Sequence, residues 1–594
     1  MKNTETGYPS IDKTHEKGEK YFDIHPLIPN LSIYNAINLI SNLYKNESAI
    51  DCLSLKVSYK EMIEQAATLS KAFKELGIKS GDIITVSMPN FSQAVIVYLA
   101  ANRIGAITTF LNSFAEIEEV CKYLNLFESP IFINYDKDKE YNDKIKLNTK
   151  VRQVITLLQK DLNNKKFANN SSGIIGNSDY ISFNDLGLVA DYYQKPFKTL
   201  YSGNQDSLIL FTSGTTGNPK AVVLTNKNIL ASGIYMKNST NLSNVSGEKS
   251  LVCVPFTYPY GFATSTLMSL LCGREAVLAP NLTDTNISYF LSKNPNIVFG
   301  SPALLELIKR NTPDNLDLSS IHTFISGGDF LTLPQEKDGL NFFKKHNANV
   351  NICNGSGNAE TVGANTNAVG IKNKQNTVGK ILLGSSAIIV NPDTLEELKY
   401  GEEGLLCISG KHVFKEYFKE PRLTEEAKFY YKGKEYFKTG TRGILDKEGY
   451  FTLTGRASRF YIISTLNKIY CDYVQNIISL IDVVEACAVV KKPNDEMLYT
   501  GKAFIVLKPG IEPTEETRNY ILNKCSSQLI STMGEKFQLK PYEIPTSIDF
   551  VDKLPRTKAD KIDYSSLEML ANYEYNKEKK LAKKLTLEQR EILE

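Results

Sequence analysis

"FTSGTTGNPKAVVL", residues 211–224, places hydroxyls and glycines between two apolar runs and closes the polar part on a lysine. A Walker-type phosphate loop needs G-x-x-x-x-G-K-[ST] leading straight into a helix. Here Gly214, Gly217 and Lys220 are spaced differently, and Lys220 leads into "AVVLT", which reads as a strand. The order is strand, polar loop, strand. The physics of anion binding is still present. Glycines let successive N–H groups converge on one point, Ser213, Thr215 and Thr216 add hydroxyl donors, and Lys220 adds positive charge. Polyphosphate is the ligand such a loop suits. An exposed turn has the same composition, so on the loop alone both readings stand.

Outward from the loop the chain alternates. Toward the N-terminus, after a helix expected near Ile33–Tyr44, "SYKEMIEQAATLSKAFKELGI" carries helical apolar spacing, "DIITVSMPN" reads as a strand and "FSQAVIVYLAANRIGA" as a helix. Further strands are "AITTFLN" and "PIFINY". Toward the C-terminus, "SLVCVPF", "EAVLAP", "IVFGSP", "HTFISGGD" and "ANVNICNGSG" each end in a loop with Gly, Pro or Asn. Alternation of this kind predicts a parallel sheet with helical crossovers. Ligands of such sheets bind outside the carboxyl ends of the strands, so these loops point to one composite site. The Asn/Ser/Gly-rich stretch Leu162–Asp179 reads as a surface insertion.

The expected fold class is α/β: a large N-terminal domain of layered αβ sheets over residues 1–455, with a mostly β subdomain at about 378–455. A small α+β domain follows over 456–570. In it "ACAVVKK", "KAFIVLK" and "TSIDFVD" read as strands, and Thr514 caps an amphipathic helix. Residues 571–594 form a charged tail, read as a solvated helix.

Composition narrows the function class. The 594 residues are too many for one core, 42% are apolar and 23% charged, and a net charge of +3 gives no concentrated basic face for nucleic acid. The start is polar without an apolar h-region, and no run of eighteen apolar residues occurs, so neither a signal peptide nor a membrane span is expected. The nine cysteines are scattered without a C-x-x-C pair, which fits a reduced, cytoplasmic setting. The five histidines form no H-E-x-x-H.

The longer string "FTSGTTGNPKAVVLTNKNI" resembles the phosphate-binding signature of the acyl-adenylate-forming superfamily. This group holds acyl-CoA synthetases, peptide-synthetase adenylation domains and firefly-type luciferases. Nine consecutive positions match, Thr212, Ser213, Gly214, Thr215, Thr216, Gly217, then Asn218 to Lys220, and the usual glycine after the lysine is Ala221. The resemblance extends from about Leu31 to Leu570. "ISGGDFL" is similar to the segment that lies along the adenine, which implies Gly327 and Gly328 as nucleotide contacts. "NGSGNAETVG" occupies the aromatic-Gly-x-Thr-Glu position, with Ser356 and Gly357 at the base and Glu360 as the Mg²⁺ ligand. "LTGR" supplies Arg456 for the ribose and phosphate region at the domain hinge, and "LPRTKADKIDYSSLE" supplies the catalytic lysine as Lys561. The catalytic set implied is Lys561, Thr216 and Glu360.

The sequence departs from the family's pattern at several of these positions. In "FKTGTRG" Thr441 replaces the aspartate that accepts from both ribose hydroxyls. Ser356 replaces the stacking aromatic, and Ala359 the following threonine. Ser458 stands at the hinge where Asp or Lys is usual, Ser464 to Asn467 replace a Lys-x-x-Gly segment near the pantetheine tunnel, and Asp560 replaces a glycine.

The resemblance implies ATP, Mg²⁺ and CoA as cofactors and a carboxylic acid as substrate. The acid pocket would draw on "FTYPYGF", "GSPALL" and "SGGDFL": Phe256, Tyr258, Tyr260, Gly261, Phe262, Ala303, Leu304 and Asp329. No aspartate in the first segment pairs with an α-amino group, which favours a fatty or aromatic acid over an amino acid. Two alternatives stay open: an acyl-AMP ligase that loads a carrier-protein thiol, and a non-catalytic nucleotide-binding homologue.

Overall fold

The computed structural model describes residues 6–12, 26–162, 167, 180–196, 202–212, 219–239, 247–328, 331, 333–368, 374, 377–456, 459–463, 467–494, 498–527, 529–530, 536–557 and 561–591. Nearly all of the expected Leu162–Asp179 insertion lies outside them.

The expected helix–strand alternation folds into two layered sheets. The first runs Glu416–Tyr417, Ala221–Thr225, Asp206–Phe211, Ile107–Phe110, Ile83–Ser87, Ile131–Tyr135, Gln153–Leu157, Tyr180–Ser182. It is parallel from Asp206–Phe211 onward, while Ala221–Thr225 and Glu416–Tyr417 add antiparallel at one edge. The second runs Asn351–Asn354, Thr323–Ser326, Ile297–Gly300, Lys249–Val252, Glu275–Leu278, Ser48–Cys52, Leu55–Ser58, and only its last strand is antiparallel. Leu55–Ser58 follows Ser48–Cys52 after only two residues, too few for the crossover a parallel pair requires, whereas Glu416–Tyr417 reaches its edge from far along the chain.

The main core lies between the sheets. It joins Ile84, Val86, Leu208 and Leu210 of one to Ile50, Val252, Ala276 and Leu278 of the other through the helices Ile33–Leu43, Tyr59–Glu75 and Ser92–Ile104. Ser58 starts the second helix with a capping box to Glu61. The third, "SQAVIVYLAANRI", is apolar on nearly every side because it is packed on nearly every side. Each fully buried Val, Ile or Leu in it contributes about 1.5–3 kcal/mol. Separate clusters cover the outer faces, Leu111, Val120, Leu124 and Phe132 on the first sheet, Leu251, Val298, Leu305 and Phe324 on the second.

A third, antiparallel sheet forms the β subdomain: Ser386–Val390, Glu403–Ser409, Lys434–Leu445, Lys428–Tyr431, with Phe451–Arg456 also paired to Lys434–Leu445. After it comes a body with its own core. Phe460–Ile463, Asn467–Tyr470, Val484–Asn494, Leu498–Leu507 and Ser547–Phe550 form its sheet. Helices Cys471–Ile478 and Glu515–Ser526 pack on it, the latter capped by Thr514 as expected.

The division between domain and tail at 570/571 falls inside one helix, Tyr564–Glu591. Leu567 and Ala571 of that helix are buried against Ala488, Val490 and Phe504, and Glu574 pairs with the buried Lys502. The start of the expected solvated tail is therefore docked. Among the described residues no helix is long and apolar enough to cross a membrane.

Candidate active site

The carboxyl ends of the second sheet's strands open into one cleft of about 2050 Å³. Its lining includes Thr212, Lys220, Tyr258, Tyr260, Ala303, Gly327, Gly328, Ser356, Gly357, Glu360, Thr441, Arg456 and Lys561. The structure thus gathers residues from both sheets, the β subdomain and the small C-terminal body.

At one end stands the neck of the opening loop. Phe211 pairs with Ala221, the Thr212 N–H donates to the Lys220 carbonyl at 2.9 Å, and the Lys220 N–H donates to Thr212 Oγ1 at 3.0 Å. Ser213, Gly214, Thr215, Thr216 and Gly217 lie outside the described residues. Lys220 Nζ sits 4.8 Å from the centroid of the Tyr417 ring.

Tyr417 in turn donates its hydroxyl to Glu360 Oε1 at 2.6 Å. Glu360 is buried, on a short 3-10 turn Ala359–Thr361 that Asn358 caps. The Asn358 amide also donates to the Thr439 carbonyl at 3.0 Å, which ties this turn to the strand that carries Thr441. Burial pushes the Glu360 carboxyl above the ordinary carboxylate range, opposed by the Tyr417 hydrogen bond and by the charges of Lys220 and Arg456. A desolvated carboxylate facing a cleft fits Mg²⁺. Among the described residues no group of three or more His, Cys, Asp or Glu could hold a metal, so nucleotide phosphates and water would complete the shell.

The backbone beside Glu360 is tightly fitted. A Cβ at Gly357 would lie 2.0 Å from the Gly363 carbonyl oxygen, so no side chain is possible there. Ser356 is fixed by its backbone: its N–H donates to Thr366 Oγ1 at 3.0 Å and its carbonyl accepts from the Asn365 and Thr366 amides. Thr441 is buried, pairs across the sheet with Arg456, and its N–H donates to Thr439 Oγ1 at 3.1 Å.

Opposite lies the Gly327–Gly328 segment. A Cβ at Gly327 would lie 3.1 Å from the Tyr260 ring, and Gly328 adopts a left-handed φ of 87°. Lys561 reaches this segment from the small body: its Cε is 3.8 Å from the Cβ position of Gly328. The Lys561 carbonyl accepts from the Thr557 N–H at 2.7 Å and its N–H donates to Thr557 Oγ1.

The expected acid pocket needs correction. Tyr258, Tyr260, Ala303 and Leu304 line the cleft, and the Tyr260 hydroxyl donates to the Ile325 carbonyl at 2.7 Å. Burial pushes the Tyr258 phenol up to about 12, so it is neutral at physiological pH. Phe256 and Phe262 instead pack with Phe110 and Tyr98 in the main core. Gly261 does not line the cleft: a Cβ there would lie 2.3 Å from the Val254 carbonyl oxygen. Asp329, Ser458 and Asp560 lie outside the described residues.

Sequence reasoning missed two residues. Tyr417 comes from a two-residue strand far along the chain, and Asn358 looks like any loop asparagine. Neither carries a local signal, because each acts through a contact with a distant element.

The AMP-binding enzyme family matches residues 42–418, and the AMP-binding enzyme C-terminal domain matches residues 473–561. A long-chain-fatty-acid–CoA ligase of Bacillus subtilis (strain 168) is 25% identical over 549 residues, 90% of this chain and 94% of the relative. 4-Coumarate–CoA ligase 3 of Arabidopsis thaliana is 23% identical over 556 residues, 90% of this chain and 91% of the relative. Among solved structures, the anthranilate CoA ligase AuaEII in complex with anthranoyl-AMP superposes with a TM-score of 0.76 at 20% identity, over 93% of this chain and 99% of that one.

Proposed function

The chain belongs to the AMP-binding enzyme family and is an AMP-forming acid–thiol ligase, and from that premise we propose that it activates a fatty or aromatic carboxylic acid with Mg·ATP and passes the acyl group to CoA. The observation that carries the reading is the meeting of Lys561 with Gly328. It brings a lysine of the small body to the same cleft as Lys220 and Glu360.

In the first step a carboxylate oxygen attacks the α-phosphorus of ATP. The bond to the bridging oxygen breaks, and pyrophosphate leaves with both electrons. Lys561, above Gly328, neutralises charge that develops between the carboxylate and the α-phosphate. Lys220, with Thr215 and Thr216, holds the departing phosphates. Glu360 would hold Mg²⁺, which supplies charge neutralisation on those phosphates; Tyr417 orients the carboxylate by occupying one of its oxygens. The base and ribose lie along Gly327–Gly328, Ser356, Thr441 and Arg456. No covalent enzyme intermediate is required, because positioning and electrostatic stabilisation do the catalysis.

In the second step the CoA thiolate attacks the acyl carbon of acyl-AMP and AMP leaves. The small body turns about the 456–458 connection, which withdraws Lys561 and admits the thiol. Two tyrosines, an alanine and a leucine on the wall support the acid class, as does the lack of an aspartate between Phe256 and Phe262 to pair with an α-amino group. The cytoplasm supplies both ATP and CoA, and we place the enzyme there.

The test is pyrophosphate release from Mg·ATP with a panel of aliphatic, aryl and amino acids, with and without CoA. Acid-dependent release with an aliphatic or aryl acid, continued to thioester when CoA is added, is the expected result. Turnover confined to amino acids contradicts the acid class, and no release with any acid returns the chain to a nucleotide-binding homologue.

A further inference from the structure

The two bodies meet where Phe451–Arg456 ends and helix Cys471–Ile478 begins, and one carboxylate sits on that junction. Asp472 Oδ2 accepts from the Arg456 N–H at 2.7 Å, on the last described residue of the large domain. Its other oxygen pairs with Arg459 of the small body. Arg459 is itself fixed there: Nη2 donates to the Val489 carbonyl at 2.7 Å, and the guanidinium lies 3.2 Å from the centroid of the Tyr564 ring. Gly455 makes the approach possible. Its φ is 152°, and a Cβ on it would lie 2.7 Å from the Asp472 Cβ. Beside this junction Arg442, paired with Glu403 at 3.2 Å, stacks 3.5 Å from the centroid of Tyr470.

We propose that Asp472 is a positioning residue that latches the small body in the orientation that places Lys561 over Gly328. The inference rests on the ligase reading above, in which that orientation serves adenylate formation and must be left for thioester formation. The family's usual charged residue at the hinge is Ser458 in this chain, and the carboxylate on this junction comes from Asp472, fourteen positions further on. Rotation of the small body carries Asp472 and Arg459 together, because Arg459 is held within that body. The bond that must break is the one to the Arg456 N–H. Asp472 thus couples the backbone of the large domain to the placement of a lysine that it does not touch.

The test uses the full chain with Asp472→Ala, Asp472→Asn and Gly455→Ala. Gly455→Ala displaces the carboxylate without altering it, and Asp472→Asn keeps an acceptor for the Arg456 N–H while losing the charge pair. Circular dichroism confirms the fold of each. Hydrogen exchange at the Arg456 amide is expected to accelerate about tenfold or more in Asp472→Ala and Gly455→Ala, and less in Asp472→Asn. Single-turnover acyl-AMP formation is expected to fall about tenfold in the first two, while thioester formation from supplied acyl-AMP stays at the wild-type rate or rises. Unchanged exchange at Arg456, or an equal fall in both half-reactions of a folded variant, overturns the latch. If wild type activates no acid, the ligase reading fails on its own, and the exchange result still decides whether Asp472 holds the junction.

Discussion

Glu360 is a carboxylate kept out of water, and that placement has opposite consequences for stability and for catalysis. Burial raises its folded pKa above the value it has in the unfolded chain. The native state then binds more protons than the unfolded state between those two values, so the residue's contribution is greatest below the unfolded pKa and is lost as pH rises through the folded one. Above the unfolded pKa, without ligands, the raised folded pKa works against the fold. Glu360→Gln keeps an acceptor for the Tyr417 hydroxyl and removes the charge. It is expected to raise Tm at pH 7 while abolishing Mg·ATP-dependent pyrophosphate release. Thermal unfolding at pH 7 checks this, and a lowered Tm contradicts it. The position of Glu360 was readable from "NGSGNAETVG"; its partner Tyr417 was not, because the pair is separated by 57 residues and nothing local marks a tyrosine on a two-residue strand.

At the scale of elements, strand–loop–strand around residues 211–224 was legible because β-branched residues flank a glycine-rich turn. The assignment of each strand to its sheet was not, since local patterns say that a strand exists but not which strand it joins. The same limit appears in "FTYPYGF". The segment leads into a π-helix, Tyr260–Leu267, in which Phe262 faces the core while Tyr260 faces the cleft. Gly261 is therefore a packing residue: the Val254 and Pro255 carbonyl oxygens lie 2.3 and 2.4 Å from where a Cβ would stand. Backbone on both contacts cannot rotate away, so Gly261→Ala is expected to cost about 1–3 kcal/mol of stability, the usual range for overpacking. Acid preference in the surviving folded protein should not change. Denaturant unfolding together with the acid panel decides; unaltered stability with a shifted acid preference would return Gly261 to the pocket wall.

At the scale of the whole molecule, the change of pattern near Arg456 announced a second body, and its separate core of Val474, Ile478, Val489 and Ile505 bears that out. The boundary at 570 was misplaced because charge dominates the sequence after Tyr575, whereas the helix that carries it begins earlier and is anchored by Leu567, Ala571 and Glu574. How the small body sits on the large one could not be read from sequence at all. It is fixed by contacts such as Asp472 with Arg456 and Lys561 with Gly328, between residues on different elements. The central claim is that this seating assembles the reaction centre for one half-reaction only. The measurement that bears on it most directly is the rate of each half-reaction in Lys561→Ala: acid-dependent pyrophosphate release, and CoA thioester formation from supplied acyl-AMP. The account predicts that the first falls by about 10²-fold or more, as for loss of one electrostatic donor at a reacting centre, and that the second stays near wild type. An equal fall in both, in a folded variant, would contradict it.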